Sequence, residues 1–151
     1  MREPVVYLDS SAIVKRYIEE PGSRRVREFF LKAYSGDIVL SYSVWNIGEV
    51  LGAFDRARRA GRIDDQIHSV VRRRFLLEVR RMVRTALALV VPLKVVILGE
   101  SLRLVEKHHI YEADAVQIAS AKHVKAGEFL TGDKRLHEVA LREGLNSTYL
   151  G

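Results

Sequence analysis

Val5-Val6-Tyr7-Leu8-Asp9-Ser10-Ser11-Ala12-Ile13-Val14 decides how the chain is read. Four residues rich in β-branched and aromatic side chains form a short apolar run, the pattern of a strand buried on both faces. Asp9 is the only charge in the segment and falls where the strand must end. Ser10 and Ser11 then offer hydroxyls to cap a helix running toward Glu20. A carboxylate in such a setting is costly unless it is hydrogen-bonded, paired or bound to a metal.

Three further acids sit in comparable settings. Glu49 is the only charge from Tyr42 to Phe54, and Asp114 the only one from Ala113 to Ala121. Asp133 follows the strand-like run Phe129-Leu130-Thr131-Gly132. Each has a local explanation. Asp9 and Asp133 suit helix N-caps, Glu49 suits a buried arginine partner, and Asp114 suits a helix N-terminus. Taken together they suggest one shared site for a cation. The chain has no cysteine, so such a site would use oxygen or imidazole donors, and carboxylates favour magnesium or manganese. Glu112, two residues before Asp114, is a possible substitute for it, and Asn46, one turn before Glu49, a possible hydrogen-bonding neighbour.

Outward from the first strand, strand and helix signals alternate. Helix patterns cover Ser23 to Ala33, Ser43 to about Gly61, Asp64 to Leu87, Leu98 to His108, Glu112 to Ala126 and Asp133 to Gly144. Strand patterns cover Ile38–Leu40, Leu89–Val91, Glu128–Thr131 and a terminal edge strand, Ser147–Leu150. The alternation predicts an α/β fold, a three-layer α/β/α sandwich with a mostly parallel sheet. In such folds ligands bind beyond the carboxyl ends of the strands, where Asp9 and Asp133 fall.

The length of 151 residues suits one domain spanning 1–151. The first apolar run is cut by Asp9, Lys15 and Arg16, unlike a secretory signal. The Thr85–Gly99 stretch is too short and too interrupted for a membrane span. These features suggest a soluble, cytoplasmic protein. The net charge of +6 is concentrated between Arg56 and Arg84, which hold ten arginines, no lysine and three acids. An arginine-rich helix favours phosphate-bearing partners, with Arg72, Arg73 and Arg74 as candidate RNA contacts, though arginine also serves simply to solvate a helix face. Its apolar stripe, Ile67, Val71, Phe75, Val79 and Met82, is a candidate core or homodimer face.

The opening segment through Lys15, together with Glu49-Val50, Ala113-Asp114-Ala115-Val116-Gln117-Ile118-Ala119 and Leu130-Thr131-Gly132-Asp133-Lys134-Arg135-Leu136, resembles PIN-domain nucleases of the VapC toxin type. The resemblance spans the chain in order. It implies a metal-dependent endoribonuclease with Asp9, Glu49, Asp114 and Asp133 as the acidic pocket for Mg2+ or Mn2+, and Thr131 as a supporting hydroxyl. It also implies hydrolysis of RNA by a metal-activated water, an antitoxin of the VapB type as partner, and a homodimer. A PIN nuclease of RNA maturation or decay, or a catalytically silent RNA-binding module, would share the same residues.

Overall fold

The computed structural model describes residues 3–151. Five parallel strands form one sheet in the order β3-β2-β1-β4-β5: β1 (Val5–Leu8), β2 (Val39–Ser43), β3 (Ala88–Val91), β4 (Glu128–Thr131) and β5 (Ser147–Tyr149). Every pairing is parallel, where the sequence pattern predicts a mostly parallel sheet. The helices are α1 (Ser10–Tyr17), α2 (Ser23–Tyr34), α3 (Val44–Arg59), α4 (Asp65–Arg84), α5 (Val95–His108), α6 (Glu112–His123) and α7 (Lys134–Arg142).

The strand alternation sorts the core into two halves. Val6, Leu8, Leu40, Tyr42 and Leu130 point to one face and pack with α1 to α4. Tyr7, Val91 and Phe129 point to the other and pack with α5 to α7. Tyr7 stacks on Phe129 at 5.6 Å between ring centres. A three-layer α/β/α sandwich follows. The chain runs outward from β1 to β2 and β3, then returns to the other side of β1 at β4. The order therefore reverses at β1 and β4, which is where open α/β sheets place ligands.

Several local expectations shift. The cap of α1 is Asp9, whose Oδ1 accepts from the Ala12 amide at 2.9 Å; Ser10 and Ser11 begin the helix itself. Helix α5 starts at Val95, one turn earlier than Leu98, after the turn that follows Pro92. On α4 the buried positions are Val71, Phe75, Glu78 and Met82, while Ile67 stands 47% exposed. Glu78 enters the core side of α4 because its carboxylate is fully engaged. It accepts two hydrogen bonds from Arg16 at 3.1 and 3.0 Å and one each from the Tyr17 and Tyr34 hydroxyls, both at 2.7 Å. Burial acts to raise its pKa, but these donors prevail and hold it below the ordinary glutamate value.

Gly22 is obligatory for the close of the domain. It adopts φ +90°, and a Cβ there would lie 2.1 Å from the Leu150 carbonyl oxygen. Among the described residues no helix is long and apolar enough to cross a membrane.

Candidate active site at the carboxyl edge of the sheet

Asp9 is the centre of a closed hydrogen-bond cage. Its amide donates to the Leu130 carbonyl at 3.2 Å, fastening the end of β1 to β4. Its Oδ1 accepts from Ala12 N–H and from Ser11 Oγ at 2.6 Å. Its Oδ2 accepts from Thr131 Oγ1 at 2.5 Å. Ser11 Oγ in turn accepts from the Gly132 amide at 2.8 Å, and Thr131 Oγ1 from the Asp133 amide at 3.0 Å. The two loops that follow the central strands thus hold one carboxylate between them. Three of its roughly four acceptor positions are taken, leaving capacity for one more partner.

Asp9 is 4% exposed. Burial pushes its pKa up to about 6; the hydrogen bonds from Ser11, Thr131 and Ala12 oppose that rise, and the charge of Asp133 adds to it. Asp114, half-buried on the first turn of α6, also rises to about 6, through burial first and then the charges of Asp133 and Glu49, with Arg135 opposing. The dipole at the start of a helix favours ionised Asp114; burial and two neighbouring acids outweigh it.

The four acids are linked by charge, Asp9 to Asp133 and Asp114 to both Asp133 and Glu49, and differ in exposure. Asp9 is buried, Glu49 and Asp114 are intermediate, and Asp133 is exposed. Among the described residues no three His, Asp or Glu side chains are grouped closely enough to hold a metal ion, a looser arrangement than the sequence suggests. The reason is local. Glu49 Oε1 is drawn to Ser10 Oγ at 2.7 Å. Asp133 turns its Oδ1 to cap α7, accepting from Arg135 N–H at 2.9 Å and Leu136 N–H at 3.1 Å. The donor set nevertheless suits a hard divalent cation, since all four groups offer carboxylate oxygens and two of them, Asp9 and Asp114, are held above the ordinary aspartate pKa by burial and by the charge of Asp133.

A polar network, of which the sequence indicated only Asn46, supports this edge. Asn46 closes the capping box of α3, its Oδ1 accepting from Ser43 N–H at 2.7 Å. Its Nδ2 donates to Ser10 Oγ at 2.7 Å and to Gln117 Oε1 at 2.8 Å. Tyr7 donates to the same Gln117 oxygen at 2.9 Å. Asn46 therefore serves both as cap and as a link from Glu49's partner Ser10 to α6. Gln117, one turn after Ala113, was missed, and its signal was a lone amide among small and aliphatic residues.

Other candidates separate from the acids. Glu112 is exposed and accepts from Ser101 Oγ at 2.6 Å, so it does not replace Asp114. His108 pairs with Glu143 at 2.6 Å. Arg72, Arg73 and Arg74 are exposed on α4. Arg74 lies over the Tyr17 ring at 5.7 Å, at the end of α1 opposite Ser10 and Ser11. With Arg16, Arg81 and Arg84 it lines a cleft of about 740 Å³ around Glu78. The arginines that do share clefts with the acids are others. Arg56 and Arg62 line a cleft of about 270 Å³ with Glu49, Ser10 and Ser11. Arg135 lines one of about 440 Å³ with Asp114, Asp133, His109 and Tyr111.

A three-layer α/β/α domain with carboxylates gathered at the switch point of a parallel sheet defines the class. The PIN domain model matches residues 6–141, and the chain belongs to the PIN domain family. No curated protein matches the chain at a significant level. Among solved structures it is similar to FitAcB from Neisseria gonorrhoeae, with TM-score 0.66 and 16% identity over 94% of this chain and 95% of that one. It is also similar to VapC20 of Mycobacterium tuberculosis, a Sarcin-Ricin loop cleaving toxin, with TM-score 0.60 and 12% identity over 87% and 92%. VapBC2 from Rickettsia felis, bound to a DNA fragment from its promoter, gives TM-score 0.63 and 11% identity over 97% and 99%. At these identities the likeness is one of fold.

Proposed function

We propose that the protein is a metal-dependent endoribonuclease, the toxin of a VapBC-type pair, acting at Asp9, Glu49, Asp114 and Asp133. The observation that carries this reading is the caged, buried Asp9 together with Asp114, both influenced by the charge of Asp133 and each with its pKa raised to about 6, by burial first. Such a centre gains most from a cation. Membership of the PIN domain family and the shared fold of VapC20 support nuclease chemistry and a toxin role. The fold shared with FitAcB and VapBC2 supports an antitoxin partner.

Asp9 would be the central ligand for Mg2+ or Mn2+, with Glu49 and Asp114 completing the site and Asp133 at its rim. When bound, the ion would lower the pKa of water and offset charge on the phosphodiester. Thr131 and Ser11 hold Asp9 in one orientation through both of its oxygens. Asn46 and Gln117 hold Ser10, and through it Glu49, against α6. Ionised Asp114 beside Glu49 is suited to accept a proton from the attacking water. The reading extends to a cytoplasmic protein that works as a homodimer.

Purified protein incubated with total RNA and Mn2+ should cleave it, EDTA should stop the reaction, and Asp9→Asn should lose it while remaining folded. Equal cleavage by Asp9→Asn would refute the site. An adjacent small gene encoding a DNA-binding protein would distinguish the toxin from a nuclease of RNA maturation.

A further inference from the structure

The cleft beside Glu49 is built as an acid-to-base gradient along one helix face. On α3, Glu49, Ala53 and Arg56 stand at i, i+4 and i+7, a single face spanning about 10 Å at 1.5 Å per residue. Its floor is small. Ala53 lines it, and Gly52 leaves room for Arg56, whose Nη1 lies 3.4 Å from where a Cβ at Gly52 would stand. Arg62 reaches the same cleft from the turn after α3, where its amide donates to the Ala57 carbonyl at 2.9 Å. Ser10 and Ser11 form the wall nearest Asp9.

What sets this cleft apart from the one around Glu78 is its place, since it holds Glu49 and is walled by Ser10 and by Ser11, the donor to Asp9. Among the described residues Arg56 has no carboxylate within 4.0 Å, whereas its neighbours Arg58 and Arg59 both pair with Asp55 at 2.7 and 3.2 Å. Arg62 has only Glu20, at 3.8 Å, which lines the same cleft and is shared with Lys15 at 3.4 Å. In the larger cleft Arg16 is held in a bidentate pair by Glu78, while Arg74, Arg80 and Arg84 have no carboxylate within 4.0 Å among the described residues, but none of the four acids lines that cleft. Guanidinium groups match phosphate in planar, two-point fashion.

We propose, resting on the nuclease reading above, that Arg56 and Arg62 seat a backbone phosphate of the RNA flanking the cleavage point, so that one side of the substrate runs along α3 from Glu49 toward the α3–α4 turn. This assigns substrate contact to Arg56 and Arg62 rather than to Arg72, Arg73 and Arg74.

The test measures binding of a short, unstructured, fluorescein-labelled RNA to the cleavage-deficient Asp9→Asn protein across a NaCl series. The comparison is with the same protein carrying Arg56→Gln and Arg62→Gln, or Arg72, Arg73 and Arg74 changed to Gln. The first set should weaken binding about tenfold or more and make the log–log salt slope shallower by ~0.7 for each phosphate that is no longer neutralised. With Asp9 intact, Arg56→Gln alone should raise KM for RNA cleavage while kcat stays within about threefold, since a flanking phosphate contact contributes uniform binding. Arg56→Lys should recover part of the loss. Matching thermal midpoints exclude misfolding, and Arg56→Gln alone serves if the pair unfolds. Unchanged affinity and slope in the Arg56/Arg62 variant, with the parent binding RNA, would overturn the proposal and leave the nuclease reading standing. Unchanged RNA binding with loss of binding to a fluorescein-labelled poly-glutamate peptide would likewise overturn it, giving the cleft to a protein partner. A parent that does not bind RNA, together with wild-type protein that does not cut it in Mn2+, would overturn both.

Discussion

Thr131 Oγ1 donates to Asp9 Oδ2 at 2.5 Å, a contact between residues 122 positions apart that joins the ends of the two central strands. It completes a cage whose other donors come from the first turn of α1, so a single carboxylate is oriented by both sides of the switch point. Thr131→Val removes that donor and leaves the Asp133 amide without its acceptor. The expected result is a loss of about 1–3 kcal/mol in stability and a further rise in the Asp9 pKa. The acidic limb of the pH–rate profile for RNA cleavage should move upward, and Thr131→Ser should restore it. An unmoved profile in Thr131→Val would show that the hydroxyl does not tune Asp9.

The raised pKa values of Asp9 and Asp114 also set a sign for stability. Each has a folded value of about 6, above the ordinary aspartate value near 3.8. The folded state therefore holds its protons longer than the unfolded state. Their contribution is fully present below about pH 4 and is lost as pH rises through about 6. Asp9→Asn removes the cost of the buried charge while keeping an N-capping side chain. It should raise stability by about 1–3 kcal/mol at pH 7, and the gain should vanish at pH 4. Thermal melts of both proteins at the two pH values test this; a variant less stable at pH 7 would contradict it.

A divalent cation should reverse the same conflict. Mn2+ added to wild-type protein at pH 7 is expected to raise the melting temperature in a concentration-dependent way, as binding to the native state alone requires. Asp9→Asn and Asp114→Asn should each blunt the shift. An equal shift in all three proteins would place the ion elsewhere.

Glu78 should titrate in the opposite sense. Its folded pKa is depressed because the Arg16, Tyr34 and Tyr17 donors outweigh its burial. Its contribution is present above the ordinary glutamate range and lost as pH falls through its lowered folded value. Glu78→Gln leaves Arg16 without its bidentate partner and should cost about 3–5 kcal/mol. Denaturant unfolding measures the loss, and a change below about 1 kcal/mol would mean that water replaces the pair.

Gly132 is a close-approach position. A Cβ there would lie 2.7 Å from Lys15 Cε and 3.4 Å from Ser11 Oγ. Gly132→Ala should push the flexible lysine aside at a cost of about 1 kcal/mol or less, because a side-chain end yields more readily than backbone. RNA cleavage should fall more than stability does, since Gly132 N–H is the donor that holds Ser11 on Asp9. Full activity would show that the loop tolerates the shift.

The sheet and its helices were legible because period and punctuation are local properties. Val5–Leu8 and Glu128–Thr131 form strands as their apolar runs predict, and Ser43, Asp64 and Asp133 cap helices as their positions predict. Asp9, Glu49 and Asp114 stand out in the sequence for the same reason, each a lone charge in an apolar setting, and Asp133 stands out by following an apolar run, directly before Lys134 and Arg135. Asp133 shows the limit of that logic, since its carboxylate is spent on its own helix cap and is exposed. Glu78 shows the converse. It hid among arginines as an ordinary surface acid, and only the packing of α1 and α2 against α4 made it buried.

By itself the sequence determined the strand–helix alternation, the acids at the strand ends and the basic excess from Arg56 to Arg84, because each depends on residues within a few turns of one another. The tertiary structure alone decided that Asp9 is caged by Thr131 and Ser11, that Gln117 and Tyr7 brace Asn46, and that Arg56 and Arg62 rather than Arg72 to Arg74 share a cleft with the acids. Those relations depend on which side of β1 the returning strand β4 takes and on how α3 leans over α1. No spacing along the chain encodes such contacts, because they arise only when distant segments bury a common apolar surface.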